Sequence, residues 1–367
     1  MCFLLQFRPW PRCLRRLTGA TNPESGAITY TYDNNGNLYT KADARSIVTT
    51  YTYDALSRVT ARDFSDSTPD VTYTYDNVTN GIGRLTKVSN ANSETHYTAF
   101  DKMGRVTAHK QRVNSIDYTT AYTYNLAGML LEETYPSGRM VRNTIASYGD
   151  LTQIETKTTG SYAARASNFT YSAPGAVSAM QLGNGLWEGA AFNTRMQPHE
   201  SKLGTSSGAY DRLRLQYTYG TSGTNNGNIL TQTITVPSGF TATQSYTYDN
   251  SNRLWTAAEV ISGSTTWSQT FGYDRYGNRN ITAGTTSLTF DASTNKITAS
   301  GYTYDSVGNT TADPTGGGKS FTYDAENKQR TVTSGGSTLG EYWYDGDGMR
   351  VKKDASTGDD ILFVYDA

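Results

Sequence analysis

Aromatic and polar residues alternate in short bursts along this chain, and each burst ends on Asp or Asn. Tyr30-Thr31-Tyr32-Asp33 is the first clear copy, followed by Tyr51-Thr52-Tyr53-Asp54 and Tyr73-Thr74-Tyr75-Asp76, and Phe363-Val364-Tyr365-Asp366 is the last. Alternation puts both tyrosines on one face of a strand and the threonine on the other. Aromatic and β-branched residues favour that conformation. With slightly decayed copies the pattern occurs twelve times, and the first aspartates stand 21 and 22 residues apart. A fixed period of this size means one supersecondary unit copied in series, each burying its faces against its neighbours.

The residues after each burst complete the unit. Asp33-Asn34-Asn35-Gly36 fits a type I turn, which favours Asp first and Gly fourth. The carboxylate can accept from backbone N–H groups two residues on, and Gly supplies a positive φ. Asn37-Leu38-Tyr39-Thr40 then begins a return strand, so the unit is a hairpin. The same turn positions are held by Asp101 and Gly104, Asn125 and Gly128, Asp274 and Gly277, Asp305 and Gly308, and Asp345 and Gly348. Asn closes the turn after Asp249 and Asp324, while Ser57 and Thr294 fit less well. The later copies bring the strand aromatics Tyr246, Tyr248, Tyr273, Tyr302, Tyr304, Tyr323 and Tyr344. After the turn comes Arg or Asn and then often an apolar residue, as in Arg58-Val59 and Arg253-Leu254.

Between residues 142 and 245 the copies weaken without losing the period. Tyr148-Gly149, Tyr171-Ser172, Phe192-Asn193 and Tyr219-Gly220 stand where further units belong. The expected organisation is therefore one continuous array over residues 21–367. Residues 1–20, with Arg8, Arg12, Arg15 and Arg16, are unlike it and read as a misassigned start, a short export leader or a small amphipathic anchor. The chain stops at Tyr365-Asp366-Ala367, in the middle of a unit.

Composition decides whether such an array folds. Hydrophobic residues make up only 36%, yet the net charge is -1 and there are 28 tyrosines. Nothing repels the chain into an expanded state, and tyrosine buries a large ring while its hydroxyl finds a polar partner. An all-β fold of tandem antiparallel hairpins, coiled into an open β-spiral or partial hollow shell, is the expectation. The balance of 32 basic and 33 acidic residues gives no pull toward nucleic acid. Cys2 and Cys13 precede the repeats, so no disulfide framework spans them. No run of about 20 apolar residues offers a membrane span, and the apolar opening shows no clear signal peptide.

With Tyr-Thr-Tyr-Asp, the following Gly-Asn or Gly-Arg and the period near 20 residues, the chain resembles the Rhs or YD-repeat family. The stretches YTYDNNGNLYTK, YTYDALSRVTAR, FGYDRYGNRNIT and YWYDGDGMRVKK carry the resemblance over residues 21–367. It implies hairpins coiled side by side into a wide spiral that can close into a hollow shell. Such shells enclose toxic C-terminal domains of bacterial toxins and serve adhesion in the animal teneurins. The sequence lacks the family's closing core with its Asp-Pro cleavage site, since Asp313-Pro314 lies in a repeat's turn region. The resemblance thus implies shell wall, with toxin cargo or a closing core supplied from missing downstream sequence or another chain.

Candidate chemistry is weighed against that framework. Paired carboxylates can run hydrolysis, but the aspartates recur at a turn position and so have a structural task. Asp345-Gly346-Asp347-Gly348 lacks the fifth-position ligand and closing Glu of a calcium loop. His96, His109 and His199 show no metal-ligand spacing. Gly316-Gly317-Gly318-Lys319 lacks the spacing of a phosphate loop. Trp187, Trp255, Trp267 and Trp343 are candidates for stacking on sugars, although aromatics of neighbouring hairpins are expected to pack on one another. The sequence points to a non-enzymatic structural protein without cofactor, exported or surface-displayed by a bacterium. The alternative is a cell-surface adhesin or carbohydrate-binding module.

Overall fold

The structure is a computed structural model that describes residues 16–221, 223–281, 288–355, 358 and 360–367. Cys2, Cys13 and most of the unusual opening segment lie outside the described residues. The chain forms two compact units, one from Met1–Tyr122 with Thr289–Ala367 and the other from Thr123–Leu288. Both are built almost wholly from antiparallel strands, each paired with its neighbour in sequence, and the described helical structure is the short 3-10 turn Thr315–Gly317. The fold is all-β, an open antiparallel array of hairpins.

In the first unit, strands from Gly19–Asn22 to Ile116–Tyr124 pair in sequence order. A second sheet of seven strands runs from Thr303–Tyr304 to Ile361–Leu362. The other unit pairs its strands in the same manner from Leu130–Thr134 to Arg279–Ile281. Such connectivity follows from the sequence, because each four-residue turn returns the chain beside the strand it has just left.

The strand faces divide as the alternation predicts. In Gly26–Tyr32 and Lys319–Tyr323 the residues alternate between half-buried and exposed, with the tyrosines on the half-buried face. The exposed face carries cross-strand hydroxyl pairs, including Thr31 with Thr40 at 2.5 Å, Thr247 with Thr256 at 2.6 Å and Thr322 with Thr331 at 2.7 Å. Threonine thus supplies both β-propensity and a lateral contact between strands. Fully buried apolar side chains are few and small, chiefly Val71, Val88, Val113 and Val351. Within the first unit, Val71 and Val88 face the second sheet through Gly346.

Two expectations need correction, and one further loop departs from the common turn. Tyr148-Gly149 is not a strand-ending pair: Gly149 donates its N–H to Ala146 and closes a turn, leaving Tyr148 exposed at its tip. The turn after Asp291 is one residue longer than expected, with the positive φ at Asn295 instead of Thr294. The loop after Asp76 is longer still, and Asp76 itself takes φ +65°.

Candidate functional site

The repeated turn is the element in which the chain's characteristic residues meet. In Asp54–Ser57 the Asp54 carboxylate accepts from the N–H of Leu56 at 2.9 Å, the N–H of Arg58 at 3.0 Å and the Arg58 Nε at 2.6 Å. Asp101 makes the same three contacts to Met103 and Arg105, and Asp249 to Ser251 and Arg253. Where Asn stands four residues on, its amide replaces the guanidinium, as at Asp33 with Asn37, Asp274 with Asn278 and Asp305 with Asn309. The fourth turn residue takes positive φ: Gly36, Gly104, Gly277, Gly308 and Gly348 do so, as do Ser57, Asn252 and Asn327. At Gly104 there is a second reason for glycine, since an added Cβ would meet the Arg84 guanidinium of the preceding repeat.

The last tyrosine of each burst links one repeat to the one before it. Tyr53 donates its hydroxyl to the carbonyl of Leu38, Tyr75 to that of Val59, Tyr248 to Ile229 and Tyr273 to Leu254, all at 2.7–2.9 Å. Tyr32, Tyr323 and Tyr344 reach Leu17, Thr310 and Gln329 in the same way. Tyr304 is reversed, its oxygen accepting from the N–H of Ile297 at 2.9 Å. The weaker copies keep the link, with Tyr171 donating to Leu151 and Tyr219 to Pro198. The first tyrosines (Tyr30, Tyr51, Tyr73 and Tyr246) lie on the same half-buried face, and burial pushes the Tyr51 and Tyr73 phenols up.

Ring packing differs from the expectation of aromatic on aromatic. Contacts of that kind occur, as between Tyr97 and His109, but the recurring neighbour is the cation that follows the previous turn. Arg58 lies 4.3 Å from the Tyr75 ring centroid and Arg253 lies 4.6 Å from that of Tyr273. Arg84 covers Phe100 and Lys296 covers Tyr304. A cation over a ring face is attracted by the ring quadrupole, and Arg also stacks its plane on the ring. The Arg after each turn was visible in the sequence, but its role was not: it binds the aspartate behind it and the aromatic of the next repeat.

In the first unit, a second set of contacts joins residues far apart in the chain. Arg45 donates to the carbonyls of Asp324 and Ala325, and Thr68 accepts from the N–H of Ala325. Arg62 pairs with Glu326 at 2.5 Å and donates to the carbonyl of Gly346. Asn90 and Asn92 both donate to the carbonyl of Tyr344 at 3.0 Å. Gln111 brackets an extended segment, donating to Phe363 and accepting from Tyr365. The turns at Asp305, Asp324 and Asp345 therefore sit on the strand ends and loops near residues 24–26, 43–46, 65–70 and 90–92.

This seating splits the aspartates electrostatically. The backbone N–H of Arg58 above all, then its side chain, holds Asp54 below the usual carboxylate range, and Asp101 and Asp249 are lowered in the same way. Asp324 and Asp345 are buried, and desolvation pushes both up. Position four after Asp345 is Met349, whose N–H alone reaches the carboxylate. Asp345 also accepts from the N–H of Asp347, so its lone pairs serve the turn. Among the described residues, no group of His, Cys, Asp and Glu is arranged to hold a metal ion.

Comparison with known proteins agrees with this geometry. Residues 190–367 match the family model Teneurin YD-shell. Over those residues the chain is similar to YD-repeat shells. No curated protein matches it in sequence. Among solved structures it resembles TcdB2-TccC3 (TM-score 0.76, 17% identity, 92% of this chain and 20% of that one). It is similar to TcdB2-TccC3-Cdc42 as well (TM-score 0.74, 17% identity, 91% of this chain and 20% of that one). A third is the Photorhabdus luminescens Tc holotoxin pore (TM-score 0.68, 15% identity, 93% of this chain and 20% of that one). This chain spans about a fifth of the length of those chains. At such identities the likeness is one of fold.

Proposed function

We propose that this chain is a segment of shell wall that encloses or presents a toxin or effector polypeptide, and that it works without catalysis. The observation carrying the proposal is the hydroxyl link of the last tyrosine, which ties repeat after repeat to the one before it. Hairpins tied in this way form a wall whose backbone groups are paired along its length, leaving a protease no loose segment to extend. The similar solved structures, far longer chains that include a Tc holotoxin pore, support the reading. In this account residues 21–367 form one array and residues 1–20 lie apart from it. The cargo or closing core comes from further sequence or another chain, and the product acts outside the bacterial cell or on its surface.

The test is protease protection of the native gene product containing this chain. The cargo polypeptide should stay uncut while the wall is folded and be cut once Arg62→Glu opens the contacts to Glu326 and Gly346. Cleavage at equal rates in both would refute the proposal.

One observation favours carbohydrate binding as a second reading. A polar cavity of about 470 Å³ in the first unit is lined by Asn92, Ser93, Glu94, Arg112, Trp343 and Lys352 among others. The Ser93 hydroxyl is buried there without a hydrogen-bond partner. A glycan array compared between the native protein and Trp343→Ala tests it: signal lost with the indole supports the reading, and signal absent or unchanged removes it.

A further inference from the structure

Threonine stands between the two aromatics of most bursts, as at Thr31, Thr52, Thr247 and Thr322. There it meets a second threonine across the strands, Thr31 with Thr40 and Thr322 with Thr331. One burst breaks the rule with a large ring: Tyr342-Trp343-Tyr344 puts an indole at the threonine position. The register is unchanged, with Trp343 opposite Lys352 as Thr31 is opposite Thr40. The Lys352 ammonium lies 4.7 Å from the ring centroid. Threonine serves the hairpin elsewhere, so the repeat itself does not call for this indole.

Trp343 stands where the threonine face of the second sheet lies against hairpin ends of the first. The cavity of about 470 Å³ is bordered by Trp343, Lys352 and the hairpin ends at residues 90–94 and 112–115. A second cavity of about 250 Å³ is bordered by Trp343 again, with Asp66, Ser67, Thr322, Thr331 and Glu341. Cross-strand pairing puts Thr322, Thr331 and Glu341 on one face of the sheet, and alternation puts Trp343 and its partner Lys352 on that face too. The two cavities therefore share a floor and meet at the indole.

We infer that the two cavities form one groove for an uncharged oligosaccharide, whose chain passes over Trp343. The inference deepens the carbohydrate reading and rests on it. The ionic residues of the groove balance, Asp66, Glu94 and Glu341 against Arg112, Arg330 and Lys352. A phosphate or sulfate chain gains nothing from such a balance. An extended peptide adds to a sheet through unpaired main-chain groups. The floor strands Lys319–Tyr323, Gln329–Ser334, Ser337–Tyr344 and Arg350–Ala355 are each paired on both sides. The groove offers instead side-chain amides, carboxylates and guanidinium groups around an aromatic plate. These match the hydroxyl rim and the apolar face of a sugar ring. Ser93, in the wall of the larger cavity, is 5% exposed and its hydroxyl has no partner. Buried polar groups are ordinarily hydrogen-bonded, and a sugar hydroxyl supplies the bond.

Isothermal titration calorimetry of the full chain with malto-, cello- and chito-oligosaccharides of two to six units tests it. In one of these ladders the affinity should rise about tenfold or more from the disaccharide to the hexasaccharide. Trp343→Thr installs the residue that other repeats carry, so it should keep the native far-UV circular dichroism and lose binding along the whole ladder. Glu341→Gln, in the smaller cavity, should weaken the hexasaccharide. Equal affinity for two and six units, or a hexasaccharide indifferent to Glu341→Gln, overturns the extended groove while leaving a sugar site. Hexasaccharide binding that survives Trp343→Thr overturns it as well. No heat from any ladder overturns the groove and the carbohydrate reading together, and binding of reduced, carboxymethylated α-lactalbumin instead assigns the seam to unfolded polypeptide.

Discussion

The hydroxyl of Tyr53 donates to the backbone carbonyl of Leu38 at 2.8 Å, across the junction between two repeats. Leu38 opens the return strand of the preceding hairpin, so the bond carries one hairpin's position into the next. A single hydrogen bond of this kind contributes about 0.5–1.5 kcal/mol net. Its significance is repetition, since stability in an array accumulates through nearest-neighbour contacts.

Arg58 contributes three contacts at once: it reaches Asp54 at 2.6 Å, Asp76 at 2.6 Å and the face of Tyr75. A lysine there keeps the charge but loses the planar fork and the stacking. Arg58→Lys should therefore lower the midpoint of thermal unfolding, and sodium chloride should recover little of the difference because the stacking is lost as well. A midpoint equal to the native one would remove Arg58 from the account.

Gly346 is required by space. A Cβ at that position would meet Val88, and would lie 2.7 Å from Val71 Cγ1. Gly346→Ala should destabilise by about 1–3 kcal/mol, the usual cost of overpacking. Adding Val88→Ala should cost less than the two single changes summed, because they share one contact. Strict additivity in denaturant titrations would show that the second sheet does not press on Val88.

Asp54 and Asp345 should respond to acid in opposite directions. The lowered Asp54 contributes stability that is full above the ordinary carboxylate value and is lost as pH falls through the lowered one. The raised Asp345 opposes folding while ionised, a cost removed as pH falls through its raised value. Asp345→Asn keeps an acceptor oxygen and removes the charge. It should raise the unfolding midpoint at neutral pH, with the gain vanishing once the medium is below about pH 4. Asp54→Asn should lower the midpoint at neutral pH. Parallel melting curves against pH for the two variants would contradict this split.

The hairpin was legible because its causes are local. Alternation, turn residues and positive-φ positions lie within ten residues of one another, and Asp33, Gly36 and Tyr32 stand where such a unit requires them. The weak copy at residues 146–149 was misplaced because an aromatic at a turn tip looks the same in sequence as one at a strand end. The links were not legible for two physical reasons. The acceptor of the Tyr53 hydroxyl is a main-chain carbonyl, which every residue possesses and no side chain announces. Contacts such as Asn90 with Tyr344, 254 residues apart, depend on where the second sheet comes to rest. Burial then reverses the environment of Asp345, although it holds the same first turn position as Asp54.

Hydrogen exchange followed repeat by repeat in the native protein and Tyr53→Phe tests the central claim most directly. Faster exchange confined to the hairpins on either side of the Leu38 carbonyl, with the strands beyond Leu130 unchanged, is the predicted result. Equal acceleration along the entire chain, or none near residues 38–59, would contradict an array in which each repeat is held by the one before it.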